Sequence, residues 1–119
     1  MERAVFGASD FFSKKAFTSS FRGIEYVQLR NFKESNIDFV EIWFNPWKVS
    51  YHELVELFFD LHDPTGREDQ PCKNQSFIYF SDTTQLMVAK HKKNEQSHLF
   101  NDQIITELIP VREYLKNKV

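Results

Sequence analysis

The chain has 119 residues, 41% of them hydrophobic, the size of one domain that buries its own core without cross-links. A net charge of −2 argues against the basic surface that nucleic acid or an anionic membrane requires. One cysteine allows no intrachain disulfide, no apolar run reaches the roughly eighteen residues of a membrane span, and MERAVFGAS lacks a signal-peptide layout, so the expected setting is cytoplasmic.

In chain order, Arg3–Phe6 is a short apolar strand, and Gly7-Ala8-Ser9-Asp10 is expected to turn the chain. Ser9 is a suitable N-cap for a helix running to Phe21, with Asp10 on its first turn and Arg22-Gly23 ending it. Ile24–Leu29 alternates as a strand, with Ile24 and Tyr26 on one face and Val27 and Leu29 on the other. Arg30–Asn36 is polar and reads as a loop. Asp38–Phe44 is the strongest strand. Val40, Ile42 and Phe44 share one face, Phe39, Glu41 and Trp43 the other, and two apolar faces predict a central position.

Asn45-Pro46-Trp47 is a turn into an amphipathic helix over Ser50–Thr65. Ser50 and Glu53 form a capping box; Tyr51, Leu54, Val55, Phe58, Leu61 and His62 make the apolar stripe; Pro64 stops the helix. A polar loop follows, then a strand over Gln75–Phe80. A helix capped by Ser81 or Asp82 runs to Asn94 with Leu86, Met87 and Ala89 inward, closed by the basic run Lys90–Lys93. Ile104–Ile109 is the last strand, and Pro110 opens a tail with one frayed helical turn.

The order β-α-β-β-α-β-α-β gives one α+β domain over residues 1–119: a split βαβ arrangement with helices over one face of a mixed sheet. Thirteen Phe, four Tyr and two Trp exceed what so small a core hides, so some aromatics are expected at an interface, with Trp47 and Phe32 as candidates for a protein partner. The four histidines have no metal-site spacing, and the three separate glycines make no phosphate loop. Neither a metal nor a cofactor is expected. Cys72 is a lone loop thiol beside Lys73.

The run NPWKVSYHELVELFFDLHDPT resembles the D-P-x-x-I/V-S-Y-E-x-L-L-x-x-F-F-x-x-H-D-P-T segment of the type A peptide-methionine (S)-S-oxide reductases. AVFGASDFF is similar to that family's A-T-F-(G/A)-G-G-C-F-W, QSFIYF to R-S-A-I-F-Y, and IITELIP to I-V-T-E-I-x-P. The resemblance covers nearly the whole chain and implies a ferredoxin-like two-layer sandwich. It also implies a site, one position at a time. The family's nucleophilic Cys falls on Asp10. Its substrate-cradling aromatics fall on Phe11 and Phe12, its proton-donating acid on Asp38, and its second acid on Asp69, across a shortened loop. The Tyr of its G-T-Q-Y-R motif falls on Asn74, with Cys72 at the Thr of that motif, and its other Tyr falls near Asn31 or Phe32. The family's resolving cysteines have no counterpart.

With a carboxylate where the thiolate belongs, the resemblance implies a degenerate reductase, a pseudoenzyme that binds a methionine- or methionine-sulfoxide-containing peptide. Residual thiol-dependent reductase activity through Cys72 is one alternative, and a structural subunit with an aromatic interface another.

Overall fold

The computed structural model describes residues 2–9, 22–32, 37–61, 76–100 and 104–113. Five strands and two helices follow in order: β1 (Glu2–Ser9), β2 (Ile24–Phe32), β3 (Ile37–Phe44), α1 (Tyr51–Asp60), β4 (Ser76–Phe80), α2 (Thr83–Phe100) and β5 (Glu107–Pro110). They build a single mixed sheet in the order β2-β3-β1-β4-β5. β3 is antiparallel to both β1 and β2, β4 is antiparallel to β1, and β5 is parallel to β4. β3 and β4 therefore run the same way, and α1 is the crossover between them. α2 is the crossover from β4 to β5. Both helices run back against these strands. The fold is α+β, with β3 an interior strand as its two apolar faces predict. The helix expected over residues 10–21 lies outside the described residues.

Strand periodicity sets the two faces. Ala4, Phe6 and Ala8 of β1, Val40, Ile42 and Phe44 of β3, and Ile78 of β4 face the helices. They pack with Tyr51, Leu54, Val55, Phe58 and Phe59 of α1, Ala89 of α2 and Ile104. Both helices thus cover one side of the sheet. The opposite side carries a smaller cluster of Val5, Phe39 and Tyr79, edged by Phe77, Ile109 and Val111. Phe59, absent from the predicted stripe, is buried as well.

α1 begins as expected. Ser50 Oγ accepts from the Glu53 amide at 3.1 Å, and Glu53 Oε1 accepts from the Ser50 amide at 3.1 Å. Each bond satisfies an amide that the first helical turn leaves open. The helix stops at Asp60, four residues before Pro64, instead of running to Thr65. The Leu61 amide is shared between the Leu57 and Phe58 carbonyls at 3.1 and 3.2 Å, the bifurcated bond common at helix ends. His62 and Pro64 lie outside the described residues.

Several boundaries move. β1 continues through Ser9, so Gly7-Ala8-Ser9 is strand rather than turn, and Ser9 belongs to the ladder opposite Ile37. Gly7 meets a need for space: a Cβ there would lie 2.6 Å from the Phe39 ring. Gly23 does adopt the left-handed region, at φ 91°. β2 extends to Phe32, so Arg30 lies in the strand and only residues 33–36 separate β2 from β3. A bulge between Ile24 and Tyr26 breaks the alternation, placing Ile24 and Val27 against the core and leaving Tyr26 54% exposed. At the other end, the last strand is Glu107–Pro110 rather than Ile104–Ile109. Pro110 pairs with Phe80 on an edge strand, where a proline is tolerated. One short helical turn follows over 111–113.

α2 departs furthest from expectation. It runs to Phe100 rather than Asn94, so Lys90–Lys93 lies mid-helix and does not close it. Its buried positions are Gln85, Ala89, Lys92 and Gln96, on one 3.6-period face, while Met87 is 65% exposed and Leu86 half-buried. Gln85 and Lys92 hold this face with polar partners. The Gln85 amide donates to Asp82 Oδ1 at 2.8 Å, which makes Asp82 the N-cap. Gln85 Nε2 donates to the Arg3 carbonyl at 3.0 Å, and Gln85 Oε1 accepts from the Ser81 amide at 2.9 Å. Lys92 Nζ lies 3.1 Å from Glu95 and 3.7 Å from Glu56 of α1, tying the two helices together. The hydrogen bond from Lys92 holds the Glu95 carboxyl below the usual range.

Two outcomes follow for stability. Gly7→Ala is expected to lower the unfolding free energy by about 1–3 kcal/mol in a denaturant titration, through forced displacement of Phe39. The loss should shrink when Phe39→Leu is added, because the two side chains contend for the same space. The Tyr79 hydroxyl is pushed from its ordinary 10.0 up to about 12, by burial first and then by Glu107. The folded chain holds this proton more tightly than the unfolded chain. Its contribution is therefore complete below pH 10 and falls as pH rises through about 12. Tyr79→Phe should flatten that alkaline decline in unfolding curves recorded between those two pH values.

Candidate functional site

The two ends of the sheet differ. At one end lie the β1 N-terminus, Phe44 and the N-termini of α1 and α2. Here the Tyr51 hydroxyl is buried with no hydrogen-bond partner among the described residues, and burial, then Asp82 and Glu2, push its pKa up. At the other end β1 and β2 finish and β3 and β4 begin. Asp38, which the sequence singles out, belongs to this second end.

The ladder fixes who stands beside whom. The Asp38 Cα is opposite Ala8 on one side and Asn31 on the other, and Ala8 is opposite Ser76. A row therefore crosses the sheet as Asn31, Asp38, Ala8, Ser76. Neighbouring strands are about 4.8 Å apart, so Asp38 and Ser76 stand two spacings, about 10 Å, from each other. By alternation Asp38, Ala8 and Ser76 all lie on the helix-covered face. Asp38 is half-buried. Ser76 and Thr106 extend the row, their buried hydroxyls sharing a hydrogen bond of 2.8 Å. This pair ties the start of β4 to the segment entering β5.

Of the predicted site residues, the structure places Asp38 in this row. Asp10, Phe11, Phe12 and Asp69 lie outside the described residues, as do Cys72 and Asn74. The segments that carry them are joined to this end: residues 10–21 follow Ser9, and residues 62–75 lead into Ser76. Asn31 is a ladder neighbour of Asp38, and Phe32 of Ile37. Among the described residues no three His, Cys, Asp or Glu side chains come together to hold a metal ion. His52 and His91 are exposed on their helices, His91 lying 3.5 Å from Glu95. No helix among the described residues is long and apolar enough to cross a membrane.

Two polar pairs went unread in the sequence. Ser76 and Thr106 are buried positions within QSFIYF and IITELIP, but 30 residues of chain separate them. Arg30 Nε donates to Glu41 Oε2 at 2.7 Å on the opposite face of the sheet, with Glu41 fully buried. The alternation of β3 does place Glu41 on an inward-facing position, and an acid there signals a buried partner. The exposed aromatic expected at Trp47 is present at 94% exposure. Nothing is described of the Phe32 side chain.

The family model for peptide methionine sulfoxide reductase matches residues 17–118. A peptide methionine sulfoxide reductase MsrA 2 of Rhodopirellula baltica is 30% identical over 131 residues, covering 95% of this chain and 77% of the relative. MsrA of Methanosarcina acetivorans is 30% identical over 95 residues, 75% of this chain and 50% of the relative, and MsrA of Methanosarcina mazei is matched over 64% of its length. The chain thus spans half to two-thirds of these two Methanosarcina relatives. Among solved structures, Mxr1 of Saccharomyces cerevisiae in an oxidized form superposes with a TM-score of 0.68 at 15% identity, covering 92% of this chain and 72% of that one. Methionine sulfoxide reductase A of Corynebacterium diphtheriae gives 0.62 at 19%, covering 92% and 65%. These two likenesses establish the shared α+β fold.

The Ser76–Thr106 bond sits between a buried strand start and the core. Thr106→Val keeps the shape and removes the partner, and should cost about 1 kcal/mol in chemical denaturation. Ser76→Ala with Thr106→Val should cost less than the sum of the single changes, as a double-mutant cycle would read.

Proposed function

The chain belongs to the peptide methionine sulfoxide reductase family, and from that premise we propose that it keeps the family's frame while having lost the thiol chemistry, acting as a catalytically inactive binding or regulatory module. What carries this reading is the resemblance of AVFGASDFF to the family's nucleophile motif, which sets Asp10 where the family has its cysteine. Reduction of a sulfoxide by a thiol needs the thiolate to attack the sulfoxide sulfur. The S–O bond breaks, oxygen passes to the cysteine as a sulfenic acid, the substrate leaves as a thioether, and a second thiol resolves the sulfenic acid. A carboxylate has no corresponding oxidation step. Loss of a covalent nucleophile reaches orders of magnitude in rate.

The groups proposed to remain are those that bind. Phe11 and Phe12 would cradle the methyl group of a methionine or methionine-sulfoxide side chain in a peptide, and Asp38 and Asp69 would supply acids at the positions the family uses. The ladder supports the place given to Asp38, in register with Ala8, two residues ahead of Asp10 in the chain. An alternative rests on Cys72, the chain's lone thiol, within the segment leading to Ser76. Its sulfenic acid would return to the thiol, and the cycle turn over, only if an external thiol resolved it.

One assay series separates these readings. Wild type, Asp10→Cys and Cys72→Ser are each incubated with a methionine-(S)-sulfoxide peptide and dithiothreitol. No turnover is expected from wild type, and measurable turnover from Asp10→Cys. Turnover by wild type would overturn the inactive reading, and its disappearance in Cys72→Ser would assign the activity to Cys72. Calorimetric titration of wild type with the same peptide and its methionine form should show binding, and no heat with either would remove the binding role.

A further inference from the structure

β2 closes one side of the sheet, and this edge carries an inference that is independent of the sulfoxide site. β2 is hydrogen-bonded to β3 and, among the described residues, to no other strand. Proteins commonly protect such an edge with a proline, a bulge or outward charges. β2 has no proline or glycine, and its bulge lies at one end, between Ile24 and Tyr26. From Tyr26 to Phe32 the register with β3 is unbroken. The one charged side chain in that run, Arg30, is held inward by Glu41 at 2.7 Å. Tyr26 and Leu29 are 54% and 41% exposed, on opposite faces of the strand.

We propose that this edge pairs with the same edge of a second copy of the chain, making an antiparallel two-fold dimer with a continuous ten-stranded sheet. The argument is self-complementarity, which a two-fold interface demands. With the axis through Gln28, Tyr26 of one copy stands opposite Arg30 of the other, and Val27 opposite Leu29. Tyr26, Gln28 and Arg30 share the face away from the helices, and Val27 and Leu29 share the helix-covered face, so each pair meets on its own side. Arg30 Nε is occupied by Glu41, which leaves the rest of the guanidinium plane to lie against the tyrosine ring of the other copy. Two such pairs form about one axis, and Leu29 is covered on the other face.

A single edge pairing buries less than the roughly 1,200–2,000 Å² of tight complexes, so a dissociation constant on the order of 10–100 µM is expected. Sedimentation equilibrium of the full chain from about 5 µM to about 1 mM should show a concentration-dependent monomer–dimer equilibrium. Leu29→Lys changes an exposed side chain and should weaken the dimer about tenfold or more with the thermal midpoint by circular dichroism unchanged, and Tyr26→Lys should weaken it as much while also losing the ring contact with Trp43 at 5.2 Å. Amide exchange across Tyr26–Phe32 of the wild type should slow as concentration rises, a readout that needs no variant. A monomer throughout, a dimer that both lysine variants leave unaltered, or exchange in β2 independent of concentration would each overturn the proposal. So would a chain that stays monomeric and takes up an unrelated extended peptide along β2.

Discussion

Phe6 of β1 and Phe58 of α1 stack with ring centroids 4.8 Å apart, and the rest of the molecule is arranged around that contact. Phe6 also faces Tyr51, at 6.2 Å, so one ring of the central strand meets the helix at two points two turns apart. For this to work β1 must lie in the middle of the sheet, bonded on both edges, and it does so through β3 and β4. Its other inward residues are small, Ala4 and Ala8, which lets α1 approach the sheet closely. The opposite face is equally tight, since the Phe39 ring occupies the space where a side chain at position 7 would be. A strand constrained on both edges and both faces leaves little freedom in register.

That constraint organises the two ends. Because β3 and β4 run alongside β1 in the opposite sense, each helix must return as a crossover, and both helix starts gather at one end of the sheet. Their caps, Ser50 with Glu53 and Asp82 with Gln85, belong to that end. At the opposite end Asp38, Ser76 and Thr106 line up across three strands and the approach to β5. Packing around Phe6 holds the ladder that brings them into one row.

Helix-to-helix contact shows a similar division. α2 presents glutamines and a lysine inward, and its packing relies on hydrogen bonds to Arg3 and Ser81 and on ion pairs to Glu56 and Glu95 as well as on apolar area. Such groups tolerate burial only because each finds a partner. An exposed Met87 on the same helix follows from this, since the inward positions are already filled.

What the sequence determined by itself was local and periodic. The Ser50–Glu53 box, the Tyr51–Phe58 stripe, the two faces of Asp38–Phe44 and the left-handed Gly23 could all be read from neighbours a few residues apart, because caps, helical stripes and strand alternation are short-range. The family could be read too, from its motifs, and the chain belongs to it. Tertiary structure decided what depends on distant partners. Gly7-Ala8-Ser9 looks like a turn, yet it is strand because Phe39, Asp38 and Ile37 pair with it. Arg30 looks like loop, yet it is strand because Glu41 needs it. Ser76 finds Thr106, and α2 buries Gln85 and Lys92, because acceptors wait on other elements. Strand extent and polar burial are settled by pairing across the sheet, and no short window of sequence contains both members of those pairs.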